Sequence, residues 1–507
     1  MKTKILTLLL FSALIFGSCT DLKETVYSDI PMEKFFTSEN ALLMNAGRAY
    51  TKLQPYPGEQ MLWALVTISS DELVVPTVED GSWWNGGRND EMQNHAVLPT
   101  NKINRLSWEF VFGGISACNE VLYETEISPI EFEGKSKIVA EIKVLRALFY
   151  YWALDTWGDV PFAIDFTDKT LPPKKSRAFI YNFVEKEIKD NIELLDATAT
   201  VKNYGRVTQG MAYSLLAKLY LNSEVWTGTP RWVEAEQMCD KVINSGQYQI
   251  NTKYFDNFAV YNEGSKENIF VIVYNSLLAR GFYWNELTLN PKSIATFNLK
   301  DTPWDGYVCP PDFFSRYADN DGRKKSWLYG QQYDLSGKKL FKLVGAKKDT
   351  LWFKYNPIFP ESKYKARNEW DGARCCKYAF QTDGLQYGVI DMENDFVLFR
   401  YGDIIMMKVE TMMRQGRTSE AVELADFKKL RTRVGLTPYF SADLTFDELL
   451  IERGREFAWE GVRRQDLIRF GKWNDAWWAK PYTTTQSVFP IPQTALDANP
   501  NLAGPPQ

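Results

Sequence analysis

Lys143-Val-Leu-Arg-Ala-Leu-Phe-Tyr-Tyr-Trp-Ala-Leu-Asp-Thr-Trp-Gly-Asp-Val-Pro161 closes the clearest helical pattern in the chain. Counting back into it, Ile138, Ile142, Leu145, Phe149 and Trp152 recur at i, i+4, i+7, i+11 and i+14, which is one apolar stripe of an α-helix. Gly158 and Pro161 then stop it. The same period returns in residues 178–195, where charges of alternating sign cover the other side. It returns again in residues 209–223, with Ala212, Leu216, Leu219 and Tyr220 on one face, and in residues 232–243, which Gly246 ends.

The last two segments form a helix–turn–helix pair of the size of one tetratricopeptide unit. A second pair is expected at residues 396–414 and 419–433, with Gly416 and Arg417 as the turn and Gly435 and Pro438 as the stop. Helical pairs stacked on one another bury such stripes. The expected fold is therefore mainly α: tetratricopeptide-like helical pairs in an α-α superhelix, supporting an irregular, loop-rich ligand-binding region. That irregular region is placed at about residues 248–395. It carries short strand-like runs, such as residues 268–274, and Tyr283, Trp284, Trp304, Tyr307, Trp327, Trp352 and Trp370. Its aromatic density argues against disorder. A second irregular segment, residues 71–99, sets Trp83 and Trp84 among Gly81, Gly86 and Gly87.

The N-terminus has the form of an export signal. Lys2 and Lys4 precede an apolar stretch, residues 5–16, that is too short to span a bilayer, and Gly17 and Ser18 stand directly before Cys19. The arrangement resembles a lipoprotein signal, in which residues 1–18 are removed and Cys19 is lipidated. Phe16 stands where an aliphatic residue is usual, and an ordinary cleaved secretory signal is the alternative. No later segment is long and apolar enough to cross a membrane, so the implied membrane contact is the N-terminal lipid.

Composition removes several functions. A net charge of −5 argues against a general nucleic-acid binder. His95 is the sole histidine, which excludes histidine-rich zinc sites and forces any Ser-His-Asp or Cys-His mechanism through one residue, read as a loop or surface residue. Beyond Cys19, the five cysteines Cys118, Cys239, Cys309, Cys375 and Cys376 match no zinc spacing. They are read as buried thiols, with one disulfide left open. Asp319-Asn-Asp-Gly322 begins like a calcium loop, but Arg323 occupies a ligand position, so it is read as a turn. No metal or cofactor is implied. Glu452, Glu456 and Glu460 at four-residue spacing are read as a structural ion network with Arg453, Arg455, Arg463 and Arg464, in a helix started by Thr445 and Glu448.

Six stretches together carry a resemblance. They are the quoted helix; Leu215-Leu-Ala-Lys-Leu-Tyr-Leu-Asn222; Arg400-Tyr-Gly-Asp-Ile-Ile-Met-Met407; Arg431-Thr-Arg-Val-Gly-Leu436; Glu452-Arg-Gly-Arg-Glu-Phe-Ala-Trp-Glu-Gly-Val-Arg-Arg-Gln-Asp-Leu-Ile-Arg-Phe470; and the tail Phe489-Pro-Ile-Pro492 with Asn499-Pro-Asn-Leu502. In order and spacing the chain resembles the SusD-like (RagB/SusD) outer-membrane lipoproteins over nearly its whole length, as a single domain 19–507. The resemblance implies glycan or oligosaccharide capture without catalysis, and a TonB-dependent, SusC-like outer-membrane transporter as partner. It implies a lipid-anchored location in the outer membrane, facing the exterior. Some relatives handle peptides instead, and an exported two-carboxylate glycoside hydrolase is the competitor from another class.

Asp71 and Glu72 with Trp83 and Trp84 fall where such proteins place binding residues. The candidate ligand-binding residues are Asp71, Trp83, Trp84, Tyr283, Trp284, Trp304 and Trp327, and none is assigned a catalytic role. Trp152, Trp157 and Trp459 are assigned to the core.

Overall fold

The structure, a computed structural model, describes residues 36, 38–344, 346–356, 368–382 and 391–506. The export signal and Cys19 lie outside the described residues. No described helix is long and apolar enough to cross a membrane.

The architecture is mainly helical. In chain order the principal helices are α1 (Glu39–Thr51), α2 (Leu62–Ile68), α3 (Lys102–Ile127), α4 (Lys135–Trp157), α5 (Arg177–Asn191), α6 (Gln209–Leu221), α7 (Trp232–Asn244), α8 (Tyr401–Arg414), α9 (Ala425–Thr432), α10 (Phe446–Phe457) and α11 (Arg463–Arg469). Neighbours pack in succession: α3 on α4, α4 on α5, α6 on α7, and α7 on α8. The stripe that predicts α4 is buried along its whole length, and beyond Val144 the helix is buried on every side. It can run so close to α3 because residue 114 is glycine: a Cβ there would lie 2.3 Å from the Phe149 ring. Gly158, with φ 76°, ends α4 as expected.

Two helical expectations are corrected. Residues 396–414 are not one helix. Phe396–Arg400 is a strand, β4, antiparallel to β1 (Asn268–Ile272), with Phe396 opposite Ile272 and Val397 opposite Val271. Its aromatic and β-branched residues suit a buried, pleated pair better than a helix. Residues 419–433 are also split, into Thr418–Ala421 and α9, because Leu424 leaves helical backbone with ψ 121°. Between α7 and β4 the chain is irregular and holds a hairpin of β2 (Phe341–Val344) and β3 (Lys347–Thr350).

The expected ion network is present, but its cations come from elsewhere. Glu452 and Glu456 lie fully buried on α10, while Glu460 lies beyond its end. Arg323 bonds both Glu452 and Glu456 at 3.0 Å, and Arg400 from β4 bonds Glu456 at 2.9 Å and Glu460 at 2.7 Å. Arg431 bonds Glu452, Arg433 bonds Glu456 and Lys377 bonds Glu460. Of the predicted cations only Arg455 reaches this cluster, through Glu452. Arg453 goes to Asp403 and Asp466, Arg463 to Asp71, and Arg464 to Asp155. Burial by itself would raise these carboxyls. The arginine charges outweigh it, holding Glu452 down to about 2 and Glu456 well below the usual carboxylate range. Arg323, the residue that spoils the calcium-loop pattern, is thus a hub of the core.

His95 sits in a loop but is not at the surface. Its ring stacks on Trp473 with centroids 3.9 Å apart, Nε2 lies 2.8 Å from the Ser69 carbonyl oxygen, and burial pushes it down to about 4. Cys118, Cys239, Cys309 and Cys375 are buried free thiols, and Cys376 is a half-buried one. Trp152, Trp157 and Trp459 are buried, as assigned.

Candidate functional site

The segment after α2 begins in the core and ends at the surface. Asp71, at its start, is buried and held from two sides. Arg463 bonds it with Nε at 2.7 Å and Nη2 at 2.9 Å, and Arg316 with Nη2 at 2.8 Å. Burial alone would raise this carboxyl, but the two guanidinium charges hold it well below the usual range. Glu72 is fully buried. Its Oε2 accepts the Trp459 backbone N–H at 3.0 Å, and its carbonyl accepts the Trp459 indole N–H at 2.8 Å. Oε1 has no hydrogen-bond partner among the described residues, and burial pushes the group up to about 8. The two arginines occupy both Asp71 oxygens, so the structure places this expected ligand-binding residue as an anchor of the segment.

Ten residues on, the chain turns through glycines, and Trp83 itself takes the left-handed conformation at φ 64°, which bulky residues rarely adopt. The surroundings fix it there. Its indole N–H donates to the Trp304 carbonyl at 2.7 Å, and its ring meets Tyr307 edge-on with centroids 5.7 Å apart. The ring also lies directly against Gly306, where a Cβ would come within 2.3 Å of it. Trp84 is half-buried, with its ring over Gly87.

Trp304 belongs to the same cluster and is 44% exposed. Its backbone N–H donates to Glu286 O at 2.7 Å, and its ring lies 5.8 Å from that of Tyr283, tilted by 54°. The Tyr283 hydroxyl accepts the Glu59 N–H at 3.4 Å, and the Tyr307 hydroxyl donates to Glu59 O at 2.9 Å. Arg88 pairs with the Glu59 carboxylate at 3.4 Å. An open groove of about 400 Å³, lined by Gly58, Glu59, Gln60, Met61, Arg280 and Tyr283 among others, shares Tyr283 with this cluster. Trp83, Tyr283 and Trp304 thus meet from three separate segments, beside the Arg88–Glu59 pair, while Arg280, in the groove lining, is paired with Asp391 at 2.7 Å.

Two other candidates are corrected. Trp284 is buried, donates to Pro57 O at 3.1 Å and packs on Trp63 with centroids 4.4 Å apart. Trp327 is buried against Trp459, Phe313 and Tyr317. Each has one half-buried chain neighbour, Tyr283 or Leu328, but itself points into the aromatic core. Sequence reasoning missed Glu59, Arg88 and Arg280. The loop Pro55-Tyr-Pro-Gly-Glu-Gln60 carries turn residues but nothing that ties it to Trp304.

The arrangement offers tilted aromatic faces and polar groups at their rim. Apolar C–H faces of a sugar ring stack on such surfaces while hydroxyls bond the rim. Among the described residues no group of three or more His, Cys, Asp or Glu is placed to hold a metal.

A family model described as "SusD family" matches residues 234–506, and one described as "Starch-binding associating with outer membrane" matches residues 25–221. The starch-binding protein SusD of Bacteroides thetaiotaomicron is 25% identical over 405 residues, covering 72% of this chain and 71% of that protein. Surface glycan-binding protein A of the same organism superposes with a TM-score of 0.73 at 23% identity, over 92% of this chain and 98% of that one. Its complex with laminarihexaose superposes with a TM-score of 0.72 at 23% identity, over 91% and 98%. At these identities the structural likeness is one of fold.

Proposed function

The chain belongs to the SusD family, and on that premise we propose that it captures a glycan at the Trp83–Tyr283–Trp304 cluster for import, leaving it chemically unchanged. The observation that carries the reading is the cluster itself. Three aromatic residues from separate segments meet there, Trp304 exposed and Trp83 and Tyr283 half-buried, with hydrogen bonds fixing Trp83 and Tyr283 and an open groove bordering Tyr283. Support comes from the relatives, one named for starch binding and another solved with laminarihexaose.

The family is described as associating with the outer membrane. The finer proposal is that Cys19 carries the lipid, that the body faces the exterior as one domain from residue 19, and that it delivers its ligand to a TonB-dependent, SusC-like transporter. Two or three acyl chains hold a protein stably at a bilayer, where one does not. Cys19→Ala is expected to release the protein from the membrane fraction without changing its glycan affinity.

A hydrolase would need a protonated carboxyl at the glycosidic oxygen and a second carboxylate about 5–9.5 Å away. Burial pushes Glu286 up to about 7, yet it is only 1% exposed and so is not presented to a sugar. The test is calorimetry of the purified protein against soluble starch, laminarin and their oligosaccharides, with chromatography of the sugars afterwards. Binding with intact sugars is expected. Turnover, or binding of peptides in place of any glycan, would sink the proposal.

A further inference from the structure

The β2–β3 hairpin stands apart from this cluster and has a different chemistry. Between Tyr333 and Tyr355 the sequence carries six lysines (Lys338, Lys339, Lys342, Lys347, Lys348 and Lys354) and two aspartates, Asp334 and Asp349. That is a local charge of +4 in a chain whose net charge is −5. Lys339, Lys347 and Lys348 are exposed and form no ion pair among the described residues.

The same ribbon exposes large apolar groups. Phe341 is 40% exposed, Leu343 74% and Trp352 52%. The register places them together. Phe341 lies opposite Thr350 and Leu343 opposite Lys348, and directly opposed residues share a face. Residues 348, 350 and 352 alternate in step, so Trp352 follows on that face. The Lys348 ammonium sits 4.3 Å from the centroid of the Phe341 ring. The result is a strand face on which the Phe341 and Trp352 rings alternate with Lys348 and, in phase one step before Phe341, Lys339, while Lys347, opposite Val344, lies on the other face.

Lysines on an open strand edge also discourage edge-to-edge pairing. That role does not call for exposed rings, and an exposed apolar patch on a charged ribbon marks a contact surface. We propose that this face is a second binding surface, for an acidic polysaccharide: the rings stack on sugar faces while the lysines neutralise carboxylate or sulfate groups along the chain. The ribbon is tied to the segment that bears Trp304, which favours a sugar chain over a lipid surface. Leu335 N–H donates to Ala295 O, and the Thr296 hydroxyl to Tyr333 O. Farther along, Asn290 Nδ2 bridges Glu369 O and the Asp305 carboxylate, next to Trp304. The inference rests on the glycan-capture reading only in that the ligand is a sugar chain.

The test uses the full chain carrying Cys19→Ser, so that no acyl group contributes. Its mobility is measured by affinity electrophoresis in polygalacturonate (carboxylated), dextran sulfate (sulfated) and neutral dextran, and its co-sedimentation with phosphatidylglycerol vesicles is measured separately. Retardation by at least one acidic polymer is expected, and which one names the anion. It is expected to weaken at least tenfold in Lys339→Glu/Lys348→Glu, severalfold in Trp352→Ala, and steeply with salt. Both variants change exposed side chains and are checked by melting temperature. Neither variant is expected to alter binding of the neutral glycan held by the Trp304 cluster, whereas Trp304→Ala is. Unchanged retardation in the hairpin variants, or binding to the vesicles with none to either acidic polymer, overturns the hairpin inference and leaves the Trp304 reading standing. Loss of acidic binding in the hairpin variants alongside normal neutral binding in Trp304→Ala overturns the Trp304 reading alone.

Discussion

Replacing Trp304 by alanine separates a binding role from a packing role. A Trp side chain offers about 250 Å². The 44% left exposed therefore presents about 110 Å² to solvent. A sugar ring covering half of it removes about 55 Å² from water, about 1.4 kcal/mol at about 25 cal/mol per Å², or about tenfold in Kd. The backbone bond to Glu286 O survives, but the part of the side chain that is not exposed, about 140 Å², is worth up to about 3.5 kcal/mol of stability on the same scale, so affinity is compared in the folded fraction. Trp327→Ala is the control. It empties a buried site among Trp459, Phe313 and Tyr317 and is expected to cost about 3–5 kcal/mol of stability, with Kd unchanged in the folded fraction. Calorimetry with the tightest-binding soluble oligosaccharide, paired with thermal melts, reads both quantities. An unchanged Kd in Trp304→Ala, with weakened binding in folded Trp327→Ala, would refute the division of these aromatics into surface and core.

Glu456→Gln leaves Arg323, Arg400 and Arg433 short of one buried negative charge; a loss of about 3–5 kcal/mol is expected in chemical denaturation. Glu72 is raised from an ordinary 4.5 to about 8, so the folded state holds a proton that the unfolded state releases, and its contribution is lost as pH rises from about 4.5 through 8. Glu72→Gln, neutral throughout, is expected to flatten the fall in melting temperature between pH 5 and pH 8, and an unchanged slope would count against it. At the acid end the sign reverses: Glu452 is held at about 2, so stability it supplies above about pH 4.5 is lost as pH falls toward 2, and Glu452→Gln is expected to remove that part of the acid transition. Gly306→Ala sets a methyl group 2.3 Å from the Trp83 ring; weaker glycan binding is expected, by about as much as in Trp83→Ala, with a shift in tryptophan emission.

The helices were legible wherever one apolar stripe faced one partner. The periodic residues of α4 and the N-cap Thr445, which accepts the Glu448 N–H at 3.1 Å, needed only local physics. Residues 396–400 were read as helix because Phe-Val-Leu-Phe-Arg suits either state in isolation, and its pairing with Asn268–Ile272 is set more than a hundred residues away. The site was legible in kind but not in membership. Trp83 and Trp304 are joined by a bond spanning 221 residues, which no local pattern records. Trp284 and Tyr283 are chain neighbours with opposite fates, because a short helix, Trp284–Thr288, turns one ring inward and leaves the other at the groove. Trp327 was misassigned for the same reason: its strand places it against Trp459, whose own position depends on Glu72.

That last dependence gives a role to the acidic residues just upstream of the candidate aromatics. Asp71 and Glu72 are buried. They fasten the start of the Trp83 segment to Arg463 and Trp459, on and beside the helices that hold the buried ion network. A tryptophan that must sit at φ 64° with its ring against a glycine keeps that geometry only if the chain on either side is held. Stacking of a sugar on an exposed ring yields only about 1–2 kcal/mol per ring, so ordering several loose rings at about 0.5–1.5 kcal/mol each would consume most of it. The densely paired interior and the sparse surface cluster are therefore linked: rings fixed in advance by distant ion pairs can bind a neutral, flexible sugar chain that mobile rings would not hold.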